Sequence, residues 1–300
     1  MTDRDLVGYG ERPPDPQWPD GARLALSFVL NYEEGGEATP LEGDAASEAY
    51  LHEVVGAPPS VGRRSLTTES MFEFGSRAGF WRVHRIFEEH GFPLTVYAVG
   101  QALERNPAAA RAMVEAGWEV ASHGWRWIDY AGMPEEEERQ QLRRTIDAIE
   151  RACGIRPVGW YTGRVSAATR RLVVEEGGFL YDSDSYADEL PYWVEVDGRD
   201  HLVIPYTLDA NDFKFLIPNG FVTGAQFYEY LVDSFEQLYE EGGRMMSVGL
   251  HCRIVGRPGR SRALDRFLAH VAKRDRVWVA TRAQIATHWR SITAPARSVS

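Results

Sequence analysis

The chain has 300 residues, 44% hydrophobic and 26% charged, enough for one large domain or two small ones without covalent staples. Its 33 basic and 44 acidic residues give a formal net charge of −11, which leaves no electrostatic footprint for nucleic acid or an anionic membrane. Cys153 and Cys252 form no CxxC, the opening MTDRDLVGYGERPPDPQWPDG has no apolar signal segment, and no apolar run reaches membrane-spanning length. A disulfide framework and a thiolate metal site are therefore not expected, and the cytoplasm is the expected location.

Pro13, Pro14, Pro16 and Pro19 make residues 1–22 an extended N-terminal arm. Residues 23–31, RLALSFVLN, form a strand-length apolar run that ends in Tyr32-Glu33-Glu34-Gly35-Gly36. Residues 37–66 are irregular and read as a long insertion, a kind of segment that in a compact domain is usually functional or disordered. A helix follows over 75–90, with Phe80, Val83, Ile86 and Phe87 on one face, then a strand over 93–99 and a helix over 107–116 closed by Gly117. A third strand, 118–122, leads into Ser122-His123-Gly124-Trp125-Arg126-Trp127. A long helix over 133–153 starts with acidic residues and ends at Gly154.

Strand 157–161 ends in Thr162-Gly163-Arg164, and Ser166 caps the helix that follows. Strand 179–181 ends in Asp182-Ser183-Asp184-Ser185-Tyr186, and strand 201–206 ends near Asp209. Thr223 opens another long helix, strand 245–250 ends in His251, a helix covers 261–274, and a last strand, 277–280, precedes a short helix to Arg290. Strands alternating with helices predict a parallel sheet with helical crossovers. Seven or eight such strands closing on themselves make an irregular TIM-type barrel; an open doubly wound sheet is the alternative, although no GxGxxG follows the first strand. No linker divides the chain, so one barrel is expected over residues 1–300.

The strand ends carry the reactive side chains: Glu33 and Glu34, His123, Arg164, Asp182 and Asp184, and His251. In a parallel barrel these ends meet on one face, where barrel enzymes hold their chemistry. The chemistry available is acid–base, with a carboxylate and a histidine activating water and a second histidine protonating a leaving group. There is no GxSxG elbow, so direct water attack fits better than a covalent intermediate. Arg164 or a backbone N–H is a candidate partner for an oxyanion. Trp125, Trp127, Tyr161, Tyr186 and Trp193 are candidate flat walls for a planar ligand.

The order of these motifs resembles the polysaccharide deacetylase superfamily over roughly residues 20–290. The resemblance implies a distorted (β/α)7 TIM-like barrel. Members usually read Thr-Phe-Asp-Asp-Gly where this chain has Asn31-Tyr32-Glu33-Glu34-Gly35. Their His-Ser/Thr-x-x-His is here His123 with Trp127 in the second histidine's place. Deacetylases bind a divalent metal through Asp-His-His, and this chain keeps at most Glu34 and His123 of that triad, so no metal and no other cofactor is expected. NYEEGGE, SHGWRWIDY, GWYTGR, LYDSDSYADELPYW and GLHCRIVGRPGR closely resemble the PuuE-type allantoinases of the same superfamily. That resemblance implies hydrolysis of the hydantoin ring of allantoin to allantoate, and a homo-oligomer, a tetramer.

On this reading Glu33 with His123 or His251 activates water, and the other histidine protonates the departing nitrogen. Glu34 orients a histidine, Arg164 or Asp184 holds the ureide, and Trp125, Trp127, Tyr161 and Tyr186 line the pocket. The alternatives are hydrolysis of another cyclic amide or imide, a metal-dependent polysaccharide or peptidoglycan deacetylase, and a barrel that only binds a ligand.

Overall fold

The computed structural model describes residues 4–294, so the first residues of the expected arm lie outside the described residues. Strand β1 (Leu24–Tyr32) is the centre of the sheet, and all of it is buried. A strand covered on both faces reads as a near-continuous apolar run. Its alternate residues still divide into two sets. Leu24, Leu26, Phe28, Leu30 and Tyr32 face the outer helices and pack with Phe80, Phe87, Phe235 and Phe267. Val29 faces the barrel interior, among Tyr97, Ala121, Tyr161 and Tyr206. Asn31 follows on that inner face, where its amide donates to the Tyr206 hydroxyl at 2.9 Å.

The other strands are β2 (Thr95–Ala98), β3 (Glu119–Ser122), β4 (Gly159–Trp160), β5 (Tyr181–Asp182), β6 (Tyr192–Val196), β7 (Arg199–Val203), β8 (Arg244–His251) and β9 (Val277–Val279). They run in the order β6-β7-β5-β4-β3-β2-β1-β8, with β9 beside the start of β1. Every pairing is parallel except β6 with β7. A single parallel bridge from Asn211 to Gly249 spans the gap between the end of β7 and β8. The fold is thus the distorted TIM-like barrel expected from the sequence. The distortion lies where β4 and β5 shrink to two residues each and where one bridge stands in for a ladder.

Two local features differ from expectation. β6 and β7 form a hairpin through Asp197 and Gly198, both at positive φ (49° and 75°), as a two-residue Asp-Gly turn requires. The expected helix over 75–90 begins earlier. Ser65 caps α1 (Leu66–Phe74), a π turn follows over Gly75–Gly79, and α2 (Phe80–His90) continues. At Gly75 a Cβ would come within 2.2 Å of Glu34 Oε1, so only glycine allows this helix to pass so close to the end of β1. The remaining helices are α3 (Gly100–Arg105), α4 (Pro107–Glu115), α5 (Glu135–Cys153), α6 (Thr169–Glu176), α7 (Gly224–Glu241), α8 (Cys252–Val255), α9 (Pro258–Val271) and α10 (Arg282–Ile292). Among the described residues no helix is long and apolar enough to cross a membrane.

Candidate active site

The two-residue period of β1 carries past its end and separates the two glutamates. Glu33 continues the inner set of Val29 and Asn31; Glu34 continues the outer set of Tyr32. Glu33 is fully buried, and its Oε1 faces His123 Nε2 at 3.2 Å and His251 Nε2 at 3.5 Å. Its Oε2 accepts a hydrogen bond from Arg253 Nη1. His123 comes from just beyond β3, two residues after the inward Ala121. His251 ends β8, and Arg253 lies in α8 directly after it. Burial alone would push the Glu33 carboxyl up, but Arg253, His251 and His123 outweigh it and hold the group far below the ordinary carboxylate range. Glu33 is therefore ionised throughout the working pH range.

Asp212 backs His251. Its Oδ1 lies 2.6 Å from His251 Nδ1, while Oδ2 accepts the backbone N–H groups of His251 (2.8 Å) and Val255 (3.0 Å). Both ring nitrogens of His251 thus face carboxylate oxygens, an arrangement satisfied in full only when both carry protons. His123 differs: its Nδ1 is buried and has no partner among the described residues. With Nε2–H directed at Glu33, the Nδ1 lone pair is free to accept.

Glu34 points away from this cluster. Its Oε2 accepts the Glu33 backbone N–H at 3.0 Å, and its buried Oε1 has no partner among the described residues. Burial and then the charge of Glu33 push its carboxyl up, against the pull of Arg253, to about 7. It touches neither histidine through a hydrogen bond, so the expectation that it orients one of them is corrected: strand parity sends it outward, against Gly75.

The expected pocket walls fall into two groups. Tyr161 belongs to the interior cluster. Its ring centroid is 5.0 Å from that of His123, and its hydroxyl is 2.9 Å from that of the half-exposed Tyr186. Trp127 is buried, with the Arg253 guanidinium 4.9 Å and the Arg164 guanidinium 5.3 Å from its ring. Trp125 does not belong to the pocket. Gly124, at φ 74°, turns the chain so that Trp125 packs against Gly100 of α3, with Arg144 of α5 covering its ring at 3.7 Å. Asp184 serves its own loop, accepting the N–H groups of Thr162 (3.0 Å) and Gly163 (2.7 Å). Burial and the neighbouring Asp182 push its carboxyl up to about 7 despite those two bonds. Arg164 pairs with Glu48 at 2.8 Å.

That last pair belongs to a larger arrangement. The insertion lies across the C-terminal mouth of the barrel. Trp127 bridges to Glu37, and Tyr50 stacks on Trp127 with centroids 6.0 Å apart. Four of its carboxylates reach arginines on four separate parts of the barrel. Glu42 pairs with Arg105, Asp44 with Arg126 at 3.0 Å, Glu48 with Arg164 at 2.8 Å and Glu53 with Arg260 at 2.6 Å. With the insertion in this position, His123, His251, Glu33 and Arg253 are all buried.

Sequence reasoning missed two members of this cluster. Asp212 opens a short 3-10 turn, Asp212–Leu216, that no periodicity announces. Arg253 was visible two residues after His251, in HCR, but α8 begins at Cys252 and gives no strand-end signal.

Comparison with known proteins fixes the family. The profile for polysaccharide deacetylase matches residues 64–177. A Schizosaccharomyces pombe protein whose name places it among the polysaccharide deacetylases is 44% identical over 308 residues, covering 95% of this chain and 96% of that protein. The chain belongs to the polysaccharide deacetylase family. It is a hydrolase of that superfamily. A Pseudomonas aeruginosa PAO1 structure, also named as a polysaccharide deacetylase, is 54% identical with a TM-score of 0.94, covering 96% of this chain and 98% of its own. The crystal structure of Puue allantoinase is 52% identical with a TM-score of 0.95, covering 97% and 98%.

The divalent metal of the deacetylases does not fit the residues of this family member. Trp127 offers no donor at the second histidine's place, Glu34 faces Gly75, and Glu33 already carries the Arg253 cation. Among the described residues no group of three or more His, Cys, Asp or Glu side chains is arranged to hold a metal ion.

Proposed function

We propose that this chain is an allantoinase, hydrolysing a ring amide of the hydantoin of allantoin to give allantoate. The observation that carries the chemistry is one buried carboxylate, Glu33, flanked by two histidines with unlike surroundings. The substrate rests on the likeness to the Puue allantoinase structure across nearly the whole chain.

His251, with a carboxylate oxygen of Glu33 or Asp212 facing each of its ring nitrogens, is the acid. Glu33 is so strongly stabilised as an anion that it is a poor base by itself. The proton of the attacking water therefore goes to the free Nδ1 of His123, while Glu33 holds the opposite edge of that ring. The water oxygen bonds to the ring carbonyl carbon. The carbon–nitrogen bond then breaks, and the departing nitrogen takes its proton from His251 Nε2. The new carboxylic acid gives its proton to solvent and leaves as a carboxylate with a free ureido group, while solvent carries the proton on His123 back to His251. Tyr161 and Tyr186 give the ring a flat, polar-tipped wall.

The test is steady-state turnover by the purified chain of allantoin, hydantoin, succinimide and an oligomer of N-acetylglucosamine. Preference for allantoin supports the reading. Preference for succinimide moves the activity to a cyclic imide, and release of acetate from the oligomer alone replaces the reading with a deacetylase.

A further inference from the structure

Among the buried polar atoms around Glu33 that have no partner among the described residues, Arg253 contributes two, on one edge of its guanidinium. Its Nη1 goes to Glu33, and its Cζ lies 4.3 Å from the centroid of the Phe72 ring and 4.9 Å from that of Trp127. Its Nε and Nη2 are buried and have no partner among the described residues. These two atoms form the edge through which a guanidinium binds a carboxylate in parallel, bidentate fashion. A buried charged donor pair without a protein partner is expensive to keep unless another group meets it. Covalent geometry ties the edge to the reaction, because Nη2 shares its carbon with the nitrogen that holds Glu33. The bond from Nη1 to Glu33 and the two rings packed against the guanidinium limit how far the edge can turn.

We propose that the Nε–Nη2 edge of Arg253 is the substrate-oxygen site. It receives the ring carbonyl oxygen as that oxygen becomes anionic and afterwards holds the product carboxylate. The ligand class is a small ureido acid and the cyclic amide from which it forms; this deepens the cyclic-amide reading and rests on it for the reaction. Trp127 then has a purpose in this chain: its ring packs against the guanidinium that carries the edge. Arg164, a candidate for this task from the sequence, is engaged by Glu48 above Trp127 instead.

The experiment compares the wild-type chain with Arg253→Lys and Arg253→Gln. Lysine keeps a cation beside Glu33 and loses the paired edge; glutamine removes the charge. Binding of ureidoacetate and of its uncharged amide, ureidoacetamide, is measured by calorimetry, alongside kcat, KM and their pH profiles for allantoin, with thermal unfolding as the folding control. The wild type is expected to prefer the carboxylate. Arg253→Lys is expected to lose that preference and to lose roughly 10- to 100-fold in kcat/KM with an unmoved acid limb. Equal affinity of the wild type for the two probes, or an Arg253→Lys variant that retains the preference, overturns the proposal. So does a loss of activity that appears only as a shifted acid limb, since Arg253 would then act solely through Glu33. Carboxylate preference without turnover of allantoin leaves the edge standing and removes the allantoinase reading. Turnover without carboxylate preference does the reverse. If Arg253→Gln fails to fold, Arg253→Lys carries the test.

Discussion

Replacing Asp212 with asparagine separates the charge behind His251 from the shape of the site. Asp212 accepts three hydrogen bonds, one from the imidazole Nδ1 at 2.6 Å and two from the backbone, at His251 and Val255. An asparagine has one acceptor oxygen. If it satisfies the two backbone donors, its NH2 group faces Nδ1, and the ring must accept there instead of donating. His251 is then held neutral, with its proton on Nε2, and a neutral imidazole is a poor acid. Loss of general-acid catalysis of this kind lowers kcat by about 10²- to 10⁴-fold, or about 3 to 5 kcal/mol in the barrel's transition-state stabilisation. The assay is turnover of allantoin from pH 5 to 9 by Asp212→Asn, with circular dichroism and thermal unfolding confirming the fold. A folded variant within threefold of wild type refutes the assignment of His251 as the acid.

Three further outcomes are expected. Glu34 binds its proton more tightly folded than unfolded, with a pKa of about 7 against an ordinary 4.5, so its contribution to stability is fully present below the lower value and is lost as pH rises to the upper one. Glu34→Gln lacks that loss, and its stability relative to wild type in urea titrations is expected to rise by up to about 3 kcal/mol between pH 4.5 and pH 7.5; a constant difference across that range contradicts the buried, unpaired carboxyl. Glu48→Gln releases the insertion from Arg164 and is expected to raise KM roughly 3- to 10-fold while kcat changes less, at a stability loss of about 1 kcal/mol; an unchanged KM, in steady-state assays at low and high salt, shows that the insertion does not guard entry. Turnover of allantoin is expected to survive exhaustive chelation, with metal content measured on the same sample; activity lost and then restored by a divalent ion places the metal back in the site despite Trp127.

The sequence made the barrel legible because buried parallel strands are short apolar runs and their reactive residues collect at one end. Glu33, His123 and His251 were visible for that reason, and the structure brings them together. What could not be read was direction. Glu33 and Glu34 are alike in sequence, and only the parity of β1, fixed by which residues meet the helices, sends one inward and the other to Gly75. Trp125 and Trp127 looked equivalent until Gly124 turned the chain between His123 and the pair. Asp212 was hidden because it reaches the site from a 3-10 turn after β7, outside any repeating pattern. The β6–β7 hairpin was within reach, since Asp197-Gly198 between two strand-like runs is a turn signal in its own right.

The site's electrostatics also limit which side chain can act as the base. A carboxylate with a guanidinium on one oxygen and two imidazoles on the other is an anchor for cations, and the interactions that keep it ionised also weaken its hold on a proton. Its effect on the two histidines is uneven because their second partners differ. Asp212 gives His251 a second carboxylate, which favours two protons on that ring, whereas His123 has a single carboxylate and an open nitrogen. One glutamate thereby sustains an acid and a base at once. The difference between them comes from Asp212, a residue on a turn that the strand pattern does not mark, and from a nitrogen left bare within a barrel whose mouth the insertion covers.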